Sequence, residues 1–420
     1  MNTQLFGRLC QRLEPALVVL LLIGANDLDC PSYITAIIKV ASYATLPFLI
    51  MGQRKRFAYV VTKDIPLLLL LGTGLLSVLW SAAPESTIEE SKALVRATLF
   101  GAYLATRYTP KEQMQLLAWV IGLSAFPSLV VGVALPSYGT QIVNHVTAWK
   151  GIFTFKQYLA RTMTIGSMVL LLTILDSRKY RWVMLAMLGV TVVLNLLSTS
   201  QTGLGVFVLS ICSLPLYKVV KQKNYKQQTF LLIIVLTLSA SIAVLILSNL
   251  EFIVVDVMGK DLELNGRSEV WTLAIQKGLE QPFLGYGYAG FWSSEASDFV
   301  LLNSWAELRT SGSRMHAHSG YIDLFLQLGW LGILLFMLSL LIVFFKIFTL
   351  LYLTQEIEYF WMLQMILIIL FFNYTELITF LTPSIWWIYY VSISLSTAVE
   401  LKRINRENLK IKQDEAYEIC

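Results

Sequence analysis

Two of the three histidines in the chain fall together, His316 and His318 in the segment MHAHSGYIDLF, immediately ahead of a long apolar run. Ser319 stands where a helix cap belongs, and Asp323 lies in the turn that would follow. The amide dipoles at a helix start disfavour imidazolium, so a histidine held there stays neutral and can accept a proton. A structural or surface histidine is the plain alternative. Upstream, Arg267 opens a helical stretch. Asn265 is a suitable cap, Trp271, Ile275 and Leu279 recur at helical spacing, and Gly278 and Pro282 mark the end. A cation in a first turn costs about 0.3–1 kcal/mol unless an anion bridges it to the exposed amides. A salt bridge to Glu263 or Glu269 would answer the same need.

Three further cations lie in or beside apolar runs, where each is costly and a functional candidate by default: Arg96 in SKALVRATLFGAYL, and Lys156 and Arg161 in GIFTFKQYLARTMTIG. Each could line a cavity; snorkelling, or pairing with Glu89 or Glu90, is the plainer account. Two other signals are weak. Gly285, Gly287 and Gly290 spell GxGxxG, but no strand precedes them and no βαβ unit surrounds them, so a tight turn packed among aromatics is expected. His316 and His318 with Glu307 or Asp323 lack a third ligand at zinc spacing.

The elements that must position these residues are membrane helices. The 420 residues are 56% hydrophobic and 14% charged, with a mean hydropathy of +0.65, which excludes an ordinary soluble class. Runs of about twenty apolar residues mark about twelve spans, near 14–29, 33–51, 65–81, 88–106, 114–135, 157–175, 182–198, 203–217, 229–249, 320–345, 360–379 and 384–400. The first reads as an uncleaved helix and not a signal peptide, because so many spans follow. Basic clusters at Arg8 and Arg12, Arg54 to Arg56, Arg107 and Lys111, Arg178 to Arg181, Lys218 to Lys226, and Lys402 to Arg406 occupy alternate connections. The positive-inside bias assigns them, and both termini, to the cytoplasm. The net charge of +5 is thus a topology signal and not a nucleic-acid stripe. Cys10, Cys30, Cys212 and Cys420 have no motif spacing, and only Cys30 would lie outside. The expectation is an all-α polytopic bundle over residues 1–400, with one large extracytoplasmic loop at 251–320 and a charged cytoplasmic tail at 401–420.

Seven segments in order resemble the O-antigen ligase and bacterial polysaccharide polymerase superfamily, in particular its exopolysaccharide polymerase branch. They are LLSVLWSAAPESTIEES, GIFTFKQYLARTM, LLSTSQTGL, NGRSEVW, QPFLGYGYAGFW, HAHSGYIDLFLQLGWLG, and NYTELITF with WWIYY. The resemblance implies a GT-C-like membrane glycosyltransferase of the bacterial inner membrane, using no metal or cofactor and acting on glycans carried by undecaprenyl pyrophosphate. It implies pyrophosphate binding by Arg267, Arg161 and Lys156, and deprotonation or orientation of the acceptor hydroxyl by His318; His316 and Arg96 remain further candidates on their own placement. A chain-length regulator and a flippase are the partners it suggests. The chain departs from the family pattern at Gln201, where STSQTG has no cation, and at Gln157 and Ser319, where asparagine is usual. Arg309 or Arg314 could supply the missing charge. A polymerase is the leading expectation, a ligase using an acceptor such as lipid A core the second. A lipid-oligosaccharide flippase, a rival of another class, should show inverted repeats and cations through both halves of the bilayer.

Overall fold

The computed structural model describes residues 3–143, 146–176, 178–215, 217, 267–304, 315–375 and 381–419. The chain opens with α1 (Thr3–Ile23), α2 (Ser32–Met51), α3 (Arg54–Val61), α4 (Ile65–Leu76), α5 (Pro84–Arg107) and α6 (Pro110–Ala134). A hairpin of β1 (Thr140–Val143) and β2 (Val146–Trp149) follows, then α7 (Lys156–Asp176), α8 (Arg181–Leu197) and α9 (Gln201–Cys212). Further along, four longer helices are described: α10 (Arg267–Gly278), α11 (Gly320–Thr354), α12 (Ile357–Thr375) and α13 (Ile385–Ile419). Local sequence sets several starts. The Asp64 carboxylate accepts the Leu67 amide at 3.0 Å ahead of α4, Thr109 and Glu112 form a reciprocal cap for α6, and Ser200 accepts the Gly203 amide at 3.2 Å for α9.

Helices occupy eleven of the twelve apolar segments read from the sequence; the other, 229–249, lies outside the described residues. Five helices are long and apolar enough to cross a membrane, and a sixth span results if α3 and the extended α4, bent by 89°, are taken as one. The rest fall short for two reasons. α8 and α9 have 17 and 12 residues, below the length a span needs, and α5 carries three acids and three bases. The all-α expectation is corrected at 140–149, where β1 and β2 pair antiparallel with Thr140 opposite Trp149. Their Thr, Ile and Val residues favour an extended backbone, and the amides of Lys150 and Gly151 tie the hairpin to the Gly139 carbonyl at 2.9 and 3.0 Å. The tail continues α13 as helix, with Arg403 paired to Glu400 and Glu407 at 2.7 and 3.0 Å.

Because successive long helices run up and down, their ends collect at two levels. One level is tied by Arg107 to Glu14 and by Lys111 to Asp176, both at 2.8 Å. At the other, the loop after α1 meets the start of α7 through a bridge from Leu28 to Phe153. There the start of α5 also meets the 285–290 turn, Thr87 donating to the Tyr288 carbonyl at 2.7 Å. That turn is the GxGxxG segment, and it is a packing device as expected. A Cβ on Gly285 would come within 2.6 Å of the Gln327 backbone, and one on Gly287 within 2.6 Å of Ser81. Its neighbour Gly329, at φ 59, interrupts α11. The Trp330 and Leu331 amides there turn outward to the carbonyls of Pro282 and Phe283, at 2.8 and 3.2 Å. α11 is therefore a short leg, 320–328, and a long apolar leg, 330–354.

Candidate functional site

The level that carries the 285–290 turn also carries the candidate residues, in two groups. In the first, Lys156 and Arg161 sit on the first two turns of α7. The Arg161 side chain is only 5% exposed, donates from Nη2 to Asp27 Oδ2 at 3.0 Å, and lies 4.1 Å from the centre of the Tyr158 ring. Its Nε and Nη1 are buried with no hydrogen-bond partner among the described residues. A guanidinium has five donors in a rigid fork, and leaving buried donors unmet costs about 1–3 kcal/mol each. The site therefore has unused capacity for an anion. Lys156 Nζ donates to Thr199 Oγ1 at 3.3 Å, and its amide donates to the Gln141 side chain at 3.2 Å. Thr199 has a φ of 50, a conformation that β-branched residues adopt only under constraint from their surroundings. Gln201, two residues on, is the first residue of α9, so the STSQTG turn faces Lys156 although it lacks the cation expected there.

The second group is assembled on the backbone of Ala317. Its amide donates to both oxygens of Asp323, at 3.2 and 3.1 Å, and its carbonyl accepts the Trp271 indole N–H at 2.7 Å. Asp323, fully buried, also accepts the Trp292 indole N–H at 2.6 Å. This clamp holds His318 at φ 52, a backbone region costly for any residue with a Cβ. The His318 amide donates to His316 Nδ1 at 3.1 Å, and the two rings lie 4.2 Å apart. A ring nitrogen that accepts carries no hydrogen, so this contact fits the His316 tautomer with its hydrogen on Nε2. The Nδ1 of His318 is shielded from solvent. Ser319 occupies the cap position of α11, as expected, but makes no side-chain cap bond. Asp323 reaches back to the Ala317 amide in its place, which corrects the capping proposed from sequence.

Arg267 is the first described residue of α10, one helical turn before Trp271. Trp271 packs edge-on against Tyr374 of α12, with centroids 5.8 Å apart, and Tyr321 donates to the Leu370 carbonyl at 3.3 Å. The end of α12 is thus the wall against which α10 and the histidine turn are set. Tyr286 fastens the other end of α10, donating to the Lys277 carbonyl at 2.8 Å; burial, with Glu280 nearby, pushes its hydroxyl up to about 12. The two groups are linked through the glycine turn. The Ala289 amide donates to Gln327 on the short leg of α11 at 3.3 Å, and the Tyr288 hydroxyl donates to the Leu381 carbonyl at 2.6 Å. Two residues further on, Pro383 lines the same cavity of about 300 Å³ as Asp27, the partner of Arg161.

At one level, the structure sets Lys156 against Thr199, two residues before Gln201, and Arg161 against Asp27, and separately joins the His316–His318 turn to the face of α10 that begins with Arg267. Arg96 stands apart, midway along α5; it forms no ion pair with Glu89 or Glu90, and its guanidinium lies 4.4 Å from the Tyr43 ring centre. Arg309, Arg314, Asn265 and Glu263 lie outside the described residues. Asp27, Thr199 and Trp292 were not singled out from sequence. Only Asp27, an acid in a short loop between two apolar runs, carried a visible signal.

Residues 158–337 match the family model described as O-antigen ligase, an interval that contains Arg161, Gln201, Arg267, His316 and His318. Over 108 residues the chain is 30% identical to the exopolysaccharide production protein ExoQ of Rhizobium meliloti (strain 1021), a match covering 25% of this chain and 24% of that protein. Through these matches the resemblance to the O-antigen ligase and polysaccharide polymerase superfamily is shown, with residues 158–337 as the part of the chain that carries it.

Proposed function

We propose that the protein is a metal-independent polysaccharide polymerase of GT-C type. It transfers a glycan from undecaprenyl pyrophosphate to a lipid-linked repeat unit at the outer face of the cytoplasmic membrane. The observation that carries this reading is Arg161, a buried cation with one carboxylate partner and two donor nitrogens unmet among the described residues. Breaking the bond between sugar and pyrophosphate leaves both electrons, and so negative charge, on the departing phosphate oxygen. Fixed cations stabilise that charge as it develops. Arg161 offers its fork, Lys156 a second charge held by Thr199, and Arg267 a third at the start of α10. The acceptor hydroxyl must lose a proton as it attacks the anomeric carbon. His318 is set at the same level by the Asp323 clamp, and as a neutral imidazole it can take that proton.

A second reading, transfer of the finished glycan to another acceptor such as lipid A core, is favoured by the description of the matching family. The two differ in what accumulates when the protein is lost. A strain carrying His318→Ala at normal abundance should display single repeat units if the protein polymerises. Long chains stranded on the carrier lipid would instead assign it as a ligase, and wild-type glycan would remove His318 from either mechanism.

A further inference from the structure

Between α2 and α5, against the end of α4, lies a groove of about 770 Å³ walled by side chains such as Leu46, Ile50, Val78 and Leu99. Such a volume is ample for a lipid-sized ligand segment, since small-molecule sites hold about 300–1,000 Å³. Its charged lining residues are Lys92 and Arg96, and no acid among the described residues lines it. These two cations are four apart and therefore on one face of α5. Neither forms a hydrogen bond or ion pair among the described residues; the Tyr43 ring is the contact recorded for the Arg96 guanidinium. A cation near the middle of a helix facing hydrocarbon is costly until an anion meets it. α2 also stands off from the bundle: only 6% of its most apolar stretch is buried, against 83% for α7. Arg96 and Leu46 line a second cavity as well, the one of about 300 Å³ that contains Asp27, so the apolar groove continues into the polar crevice beside Arg161.

We infer that this groove seats the chain of a polyisoprenyl phosphate, with its phosphate held by Lys92 and Arg96 at the entrance to the crevice. The inference rests on the proposed use of a lipid-borne donor and adds the path by which the lipid reaches Arg161. An apolar groove edged by unpaired cations is complementary to a long hydrocarbon chain ending in a phosphate. A free phosphate would leave the apolar walls unmatched. Asp27 does not oppose this placement, because its carboxylate is already engaged by Arg161.

The test is equilibrium binding to the full chain in phosphatidylcholine nanodiscs, read by native mass spectrometry, with undecaprenyl phosphate, undecaprenol and inorganic phosphate as probes. Undecaprenyl phosphate should bind, and Arg96→Gln should weaken it about tenfold or more, as expected for loss of a charge-assisted contact. Arg96→Lys should retain most of the affinity. Leu99→Trp, which fills the groove, should weaken both undecaprenyl phosphate and undecaprenol, whereas Arg96→Gln should leave undecaprenol unchanged. Unaltered undecaprenyl phosphate binding in both Arg96→Gln and Leu99→Trp would overturn the inference, as would its displacement by inorganic phosphate. Full glycan transfer by Leu99→Trp would count against the groove alone. A wild-type protein that binds the lipid here but transfers nothing would count against the proposed function alone.

Discussion

At the scale of single residues, Arg161 and Thr199 carry the sharpest expectations. Arg161→Lys keeps the charge and loses the fork, so glycan transfer should fall about 100-fold or more while the melting temperature changes little, as for loss of a donor aimed at developing charge. Equal rates in the two proteins would show that the fork geometry is idle. Thr199→Gly should separate stability from activity. It relieves a φ of 50, raising stability by about 1 kcal/mol, yet it removes the hydroxyl that holds Lys156 and should slow transfer. A variant both less stable and fully active would contradict this. Asp323→Ala leaves the Ala317 amide and the Trp292 indole N–H unmet in a dry site. It should therefore destabilise the protein by about 2–4 kcal/mol, measured by thermal or denaturant unfolding. The types of Arg161, Lys156 and His318, and their placement beside apolar runs, were legible in the sequence. Their partners were not, because Asp27 lies 134 residues from Arg161, and no local pattern records a contact made only when helices fold against each other.

At the scale of elements, apolar runs of span length located most helices. The caps of α4, α6 and α9, made by Asp64, Thr109 and Ser200, emerge only from the structure. The hairpin at 140–149 was missed because four-residue strands give too short an alternation to stand out beside apolar helices. The break in α11 was missed because a glycine within an apolar run is common, and only the insertion of the 282–286 turn gives Gly329 its role. Gly329→Ala would hold a Cβ at φ 59 and within 2.4 Å of the Phe283 backbone. It should cost about 1–3 kcal/mol or more in unfolding experiments and reduce transfer by displacing the short leg that carries Asp323. A stable, active Gly329→Ala protein would show that the break is incidental to the histidine turn.

For the whole molecule, the described chain is a helical membrane protein whose unusual polar residues gather at one level of the bundle. Composition alone made that class legible, but the number of spans was not, since helices such as α8, α9 and α5 pack against their neighbours without meeting the length and polarity that an isolated span requires. On the proposed mechanism, cations and an imidazole at this level transfer a glycan from a lipid pyrophosphate without a metal. That mechanism is tested most directly by supplying purified, reconstituted protein with lipid-linked repeat units in excess chelator and measuring chain length. The account predicts growth by the wild type in chelator and single units with Arg161→Ala or His318→Ala. Growth that stops in chelator, or that proceeds undiminished in both variants, would contradict it.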